Sequence, residues 1–193
     1  MNSQPAKSLS LQPTKQLRIT IFGAESTGKT TFTRQLAAEL DATWLYEFAR
    51  PYLEITKRVV TVDSMTAIWR GQTVLQTMAE GSCIIQDTDL FSTVGYWQFP
   101  HWCSVLGACP QPLIEDAAQL RSNLYIITPS NIPFEPDTLR TGGGAREGSD
   151  NYWINICKQY QLPYVVLQSS NQQQRLREAL DHIKKVRLSP CVD

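Results

Sequence analysis

Residues 22–32 read "FGAESTGKTTF", and Gly23 to Thr30 within them fits G-x-x-x-x-G-K-[ST]. What flanks this stretch decides its meaning. Upstream, "LRITIF", Leu17 to Phe22, is short, apolar and β-branched, which predicts a strand. Downstream, "KTTFTRQLAAELD" sets Phe32, Leu36 and Leu40 at helical spacing. A strand, a glycine loop and a helix in this order form a phosphate cradle. Glycines at 23 and 28 let the backbone curl so that its N–H groups converge on an anion, and the helix adds its positive end. The nucleotide would be held by Gly23, Glu25, Ser26, Thr27, Gly28, Lys29, Thr30 and Thr31. Lys29 would reach the β and γ phosphates of ATP, and the Thr30 hydroxyl would ligate Mg²⁺.

The pattern repeats outward. "TWLYEF" from Thr43, "CIIQ" from Cys83 to Gln86, "LYIIT" from Leu124 and "YVVLQ" from Tyr164 are the further strand candidates. Between them, "TVDSMTAIWRGQTVLQTMAEG" predicts a long helix capped at Asp63 or Ser64, with Gly81 beyond its end. Leu90 to about Ala118 mixes aromatics, prolines and short helical pieces. Helices are expected near Tyr152–Tyr160 and from Asn171 to Lys185. Strands alternating with helices predict an α/β fold: a five-stranded parallel sheet flanked by helices, in the manner of P-loop NTPases. Its functional groups should gather beyond the carboxyl ends of the strands. Residues 1–16 read as a flexible polar leader and 17–193 as one domain.

Composition narrows the function classes. Lys plus Arg and Asp plus Glu each count 18, so no basic surplus points to nucleic acid. The 5 cysteines are scattered without a C-x-x-C pair, which suits free thiols in a reducing cytoplasm. No apolar run reaches the roughly 18 residues of a membrane span. D-x-x-G and N-K-x-D, expected of a GTPase, do not occur in the required places.

The carboxylates that follow strands are Glu47, Asp87 and Asp89. A kinase must seat an acceptor hydroxyl beside the γ-phosphate and steer its proton, and such carboxylates serve that purpose. Asp87 can hold Mg²⁺ or face the acceptor; Asp89 can support it or cap the next helix. "PDTLRTGGGAREGSD" offers three glycines with Arg140 and Arg146, a lid over about 135–150 or a solvated loop. As a lid it would exclude water and present Arg140 to the transferring phosphoryl. Trp44, Tyr46, Phe48 and Tyr52 are core aromatics or the walls of a pocket for a flat ring. His101, between Pro100 and Trp102, suits a structural role.

"GAESTGKTT", "YEFAR", Gly71-Gln72, "QDTDL" and "PDTLR" together resemble the ribosylnicotinamide kinase domain of the bacterial NAD-metabolism regulator and the small P-loop ATPases around it. The resemblance spans about Leu17 to Val186. It implies ATP and Mg²⁺ as cofactors and nicotinamide riboside, phosphorylated at its 5′-hydroxyl, as the small-molecule substrate. By position, Glu47 and Arg50 would line the riboside pocket, with Asp87 and Asp89 at the reaction centre and Arg140 at the lid; Gln72, Trp44 and Asp89 are the further candidates for binding the acceptor. The chain departs from the family at Pro51, where an acidic residue is usual, and at the lid entry, which has Phe134 and "PDTLR". It is expected to act as a free-standing kinase without adenylyltransferase or DNA-binding domains. Two other readings stay open: a kinase for another nucleoside or metabolite, and a regulatory ATPase that uses the cradle as a switch toward a protein partner.

Overall fold

The structure, a computed structural model, describes residues 16–23, 27–57, 59–128, 130 and 149–188. In chain order the elements are β1 (Leu17–Phe22), α1 (Lys29–Glu39), β2 (Thr43–Leu45), α2 (Ala49–Thr56), α3 (Val62–Met78), β3 (Cys83–Asp87), α4 (Leu90–Gln98), α5 (Pro100–Leu106), α6 (Gln111–Gln119), β4 (Leu124–Ile127), α7 (Ser149–Gln159), β5 (Tyr164–Val166) and α8 (Gln172–Leu188). The strands form one sheet in the order β2-β3-β1-β4-β5. Every pairing is parallel. The expected fold is therefore the observed one.

Period-two alternation gives the sheet two faces. Ile19 and Ile21 of β1, Cys83 and Ile85 of β3, and Leu124 and Ile126 of β4 pack against Phe32 and Leu36 of α1 and Ala179 and Ile183 of α8. On the opposite face Phe22, Tyr125 and Ile127 meet Met65 and Ile68 of α3, Val94 and Trp97 of α4, Leu113 of α6 and Trp153 and Ile156 of α7. Burial on both faces explains why the central strands read as continuous apolar runs.

Several expected boundaries move. β2 stops at Leu45 rather than running on to Phe48, and the helix α2 follows, which the sequence reading did not include. α3 is capped by Thr61, not by Asp63 or Ser64. Ser64 instead closes a reciprocal box: its N–H donates to Thr61 Oγ1 at 3.2 Å, and the Thr61 N–H donates to Ser64 Oγ at 2.9 Å. The aromatic stretch from Leu90 resolves into α4, α5 and α6, the last two opening on prolines in their first turn. The cysteines at 83, 103, 109 and 157 are free thiols. Among the described residues no helix is long and apolar enough to cross a membrane.

Candidate active site

The phosphate loop leaves the carboxyl end of β1 and is held from the next strand. Gly23 has φ +141°, and a Cβ there would lie 2.4 Å from Thr128 Oγ1, just past β4. The Thr128 hydroxyl donates to the Phe22 carbonyl at 3.0 Å, which leaves its oxygen to accept from Thr27 Oγ1 at 2.7 Å. From α8, Arg175 donates to the Thr27 carbonyl at 3.4 Å, with its guanidinium 5.6 Å from the Phe32 ring centroid. Burial lowers the pKa of that guanidinium. The loop thus has fixed anchors just past β4 and on α8 (Thr128 and Arg175), neither of which stands in the P-loop pattern.

Gly28, at φ +71°, is the N-cap of α1, and no side chain caps the helix. The first-turn N–H groups therefore take no side-chain cap, the arrangement that receives a phosphate at a helix N-terminus. Lys29 Nζ donates to the Gly23 carbonyl at 3.2 Å, across the mouth of the loop. Thr30 Oγ1 donates to Asp87 Oδ2 at 2.5 Å. β1 and β3 are immediate neighbours, with Ile21 in register with Asp87, so the third-strand carboxylate stands beside the phosphate helix. Asp87 is 2% exposed, and its Oδ1 is buried with no hydrogen-bond partner. A hydroxyl and a carboxylate with an oxygen left over form the hard-oxygen set that Mg²⁺ takes, so Thr30 and Asp87 fit the ion. Thr31, next along α1, is exposed.

A cavity of about 390 Å³ opens beside this pair. Thr30, Arg34, Trp44, Tyr46, Glu47, Arg50, Pro51, Glu54 and Asp87 line it. It joins the amino-terminal part of α1, the end of β2 and α2 at one edge of the sheet. Arg50 Nε donates to Glu54 Oε1 at 3.0 Å, one turn along α2. The segment carrying Glu47 and Arg50 is clamped onto α3. The Phe48 N–H donates to Gln72 Oε1 at 3.0 Å, and the Phe48 ring packs against Gly71, where a Cβ would come within 2.3 Å of it.

The structure thus gathers Lys29, Thr30, Asp87, Glu47, Arg50 and Trp44 about one edge. It does not bring Gln72 or Asp89 into the cavity. Gln72 is 3% exposed and holds the Phe48 backbone. Asp89 is 1% exposed and caps α4, accepting from the Phe91 and Ser92 N–H groups, from Tyr125 Oη at 2.8 Å and from Thr20 Oγ1 at 3.4 Å. The cause lies between the two aspartates. Strand alternation would point 87 and 89 to one face, but Thr88 has φ +66°. This left-handed step sends Asp87 to the α1 side and Asp89 to the opposite core. A β-branched residue there is strained, as residues at functional sites often are. Glu25, Ser26, Arg140 and the lid stretch 135–148 lie outside the described residues.

Sequence reading missed Arg34, Thr128 and Arg175. Thr128 directly follows β4, so the residues-after-strands rule could have found it. Arg34 sits four residues after Thr30 and so on the same helix face. Arg175 carried no sequence signal.

The family model for the AAA domain matches residues 18–175. Comparison with curated proteins gives no match. Among solved structures the chain is similar to NadR protein in complex with NAD and AMP-PNP, with a TM-score of 0.72 and 21% identity over 92% of this chain and 51% of that one. This chain thus spans about half the length of the NadR structures it matches. It is also similar to thymidylate kinase from Ehrlichia chaffeensis (TM-score 0.63, 13% identity, 88% and 98% covered). Deoxyadenosine kinase from M. mycoides has a TM-score of 0.62 at 15% identity, with 88% and 100% covered. These likenesses establish the fold.

Proposed function

This chain belongs to the AAA-domain family, and on that premise we propose that it is an ATP- and Mg²⁺-dependent small-molecule kinase. Its acceptor is the ribose 5′-hydroxyl of nicotinamide riboside, and its products are nicotinamide mononucleotide and ADP. One observation carries the reading: the cavity walled by Glu47, Arg50 and Trp44 shares Thr30 and Asp87 with the phosphate loop. A switch ATPase needs no acceptor pocket at that place.

In this reading the α1 N-terminus and Lys29 bind the β and γ phosphates, and Thr30 and Asp87 hold Mg²⁺, which neutralises phosphate charge when bound. Glu47 orients the ribose hydroxyl and takes its proton as the oxygen attacks the γ-phosphorus; the bond to the β-phosphate oxygen breaks and ADP leaves. Arg50 and Trp44 position the nucleoside. Arg140, which lies outside the described residues, would stabilise charge on the transferring phosphoryl. Assigning the proton to Glu47 and the metal to the Thr30–Asp87 pair gives the two different partners.

The test is incubation of the purified protein with MgATP and a panel of nucleosides, with products identified by mass. Nicotinamide mononucleotide is the expected product. Lys29→Ala should slow transfer by about 10²–10³-fold, since loss of one charged contact to the transferring group costs about 3–4 kcal/mol of transition-state stabilisation. Phosphorylation of a different nucleoside would keep the kinase and replace this acceptor. Slow hydrolysis unaffected by every acceptor would favour the regulatory ATPase.

A further inference from the structure

Arg34 stands four residues after Thr30 on α1, so the two side chains share a helix face, and both line the acceptor cavity. Its guanidinium carbon lies 4.4 Å from the centroid of the Trp44 ring, the geometry of a cation–π contact. Such a contact holds the guanidinium over the ring without consuming its N–H donors in a hydrogen bond. Among the described residues Arg34 makes no hydrogen bond or ion pair. The cavity's other arginine, Arg50, is bound to Glu54 at 3.0 Å. Among the described residues, Arg34 is therefore the positioned guanidinium of the acceptor pocket whose N–H edge has no acceptor.

The chemistry of that edge is selective. A planar fork suits a carboxylate or a phosphate, which take two parallel N–H bonds. A carboxamide offers it one carbonyl acceptor and a carboxylate two charged ones, so nicotinamide riboside remains an acceptor but a weaker one than its carboxylate counterpart. Stacking also occupies one face of Trp44, so an incoming ring cannot use that face while Arg34 stays. The carboxylates of Glu47 and Asp87 meet the hydroxyl and metal side of the same cavity. A cavity lined by both carboxylates and a guanidinium suits an acceptor that itself carries both a hydroxyl-bearing sugar and an anionic group.

We infer that Arg34, held on Trp44, forms an anion subsite of the acceptor pocket and is a specificity-determining residue that ranks an acceptor bearing a carboxylate or phosphate above its uncharged counterpart. The subsite rests on the geometry; that its ligand is also the phosphoryl acceptor rests on the kinase reading above. Within ribosylpyridinium acceptors, the ring carboxylate should be taken in preference to the carboxamide. If the anionic group is instead a phosphate, a nucleoside monophosphate should be preferred to its nucleoside.

The experiment uses the full chain and two matched pairs. One pair is nicotinic acid riboside and nicotinamide riboside; the other is a nucleoside monophosphate and its parent nucleoside. Binding is measured by calorimetry, and transfer from MgATP is measured separately. The expected result is about tenfold or greater tighter binding of the anionic member of one pair, as a charge-assisted hydrogen bond would give. That preference should collapse toward equality in Arg34→Ala and survive in part in Arg34→Lys, which keeps the charge and loses the fork. Which pair shows it identifies carboxylate or phosphate. Arg34 is exposed on its helix, so these variants keep the fold. No anionic preference in either pair, or a preference unchanged in Arg34→Ala, overturns the subsite. A preference lost in Arg34→Ala, together with no transfer to any acceptor, would keep the subsite and reject the kinase.

Discussion

Asp87 and Glu47 are both carboxylates after strands, yet their surroundings differ. Asp87 is buried, takes the Thr30 hydroxyl and has one oxygen in reserve, whereas Glu47 is half-buried in the cavity wall. We expect separable kinetics. Asp87→Asn should slow transfer and raise the Mg²⁺ concentration needed for half-maximal rate, since an amide is a poorer ligand for a hard cation. Glu47→Gln should raise KM for the acceptor and, through loss of the proton acceptor, lower kcat by about 10²–10⁴, with the Mg²⁺ requirement unchanged. Titrating Mg²⁺ and acceptor for both variants checks this, and superimposable profiles would abolish the division. Both residues were legible in the sequence because position after a strand is a local property. Asp89 was legible as one of two alternatives, support of the site or cap of the next helix; the structure takes the cap, and the choice depends on the left-handed backbone at Thr88, a torsion no spacing rule reveals. Arg34 carried no motif of its own, and only the ring of Trp44 gives it meaning.

At the scale of elements, the acceptor wall depends on a close approach between two helices. α2 has no fully buried residue and no side-chain cap. Phe48 fastens it by packing on Gly71 of α3 and on Tyr52, whose ring centroid is 5.8 Å from its own. A Cβ at 71 would collide with that ring, and a packed aromatic cannot yield as a flexible chain end can. Gly71→Ala therefore sets two effects against each other. Alanine favours the helix by about 1 kcal/mol, while overpacking costs about 1–3 kcal/mol. Stability should fall slightly or hold, whereas the displaced Phe48 carries its neighbour Glu47 with it. We expect a higher acceptor KM with ATP binding unchanged, read by steady-state kinetics alongside thermal unfolding. Unchanged acceptor kinetics would mean that the clamp does not position Glu47. The same contact explains where sequence reading lost the chain. "TWLYEF" has strand composition throughout, but beyond Leu45 the Phe48 ring and its N–H are committed to α3, and α2 begins without a cap signal. The long helix α3 and the central strands were legible because period and burial agree in them.

Over the whole molecule, the two faces of the sheet are unequal in polarity. The α1–α8 side is apolar in the strands' interior, while the other side carries a buried polar seam of Thr20, Gln86, Ser122, Tyr125 and Asp89. Asp89 ends that seam as a carboxylate out of reach of water. Burial raises its pKa from 3.8 to about 6, against the opposing pull of hydrogen bonds from Tyr125, Ser92, Phe91 and Thr20. Arg18, itself lowered by burial, supplies the nearby positive charge. The sign of the consequence follows from proton counting. Between 3.8 and about 6 the folded chain holds more protons at this site than the unfolded chain, so stability falls as pH rises through that window. The contribution is fully present below the lower value and gone above the upper one. At about 1.36 kcal/mol per tenfold change in proton affinity, the span amounts to about 3 kcal/mol. Other carboxylates titrate in the same range, so the effect is isolated by comparison with Asp89→Asn. Asparagine remains a good N-cap for α4, and its amide can donate to the hydroxyls of Tyr125 and Thr20 in place of accepting from them. Denaturant unfolding of both proteins from pH 4 to pH 8 should show the native chain losing stability relative to the variant by about this amount, with most of the loss below pH 6.5. Parallel curves would mean that the four donors hold the buried charge as well as water does, and that the carboxylate stays ionised across the range.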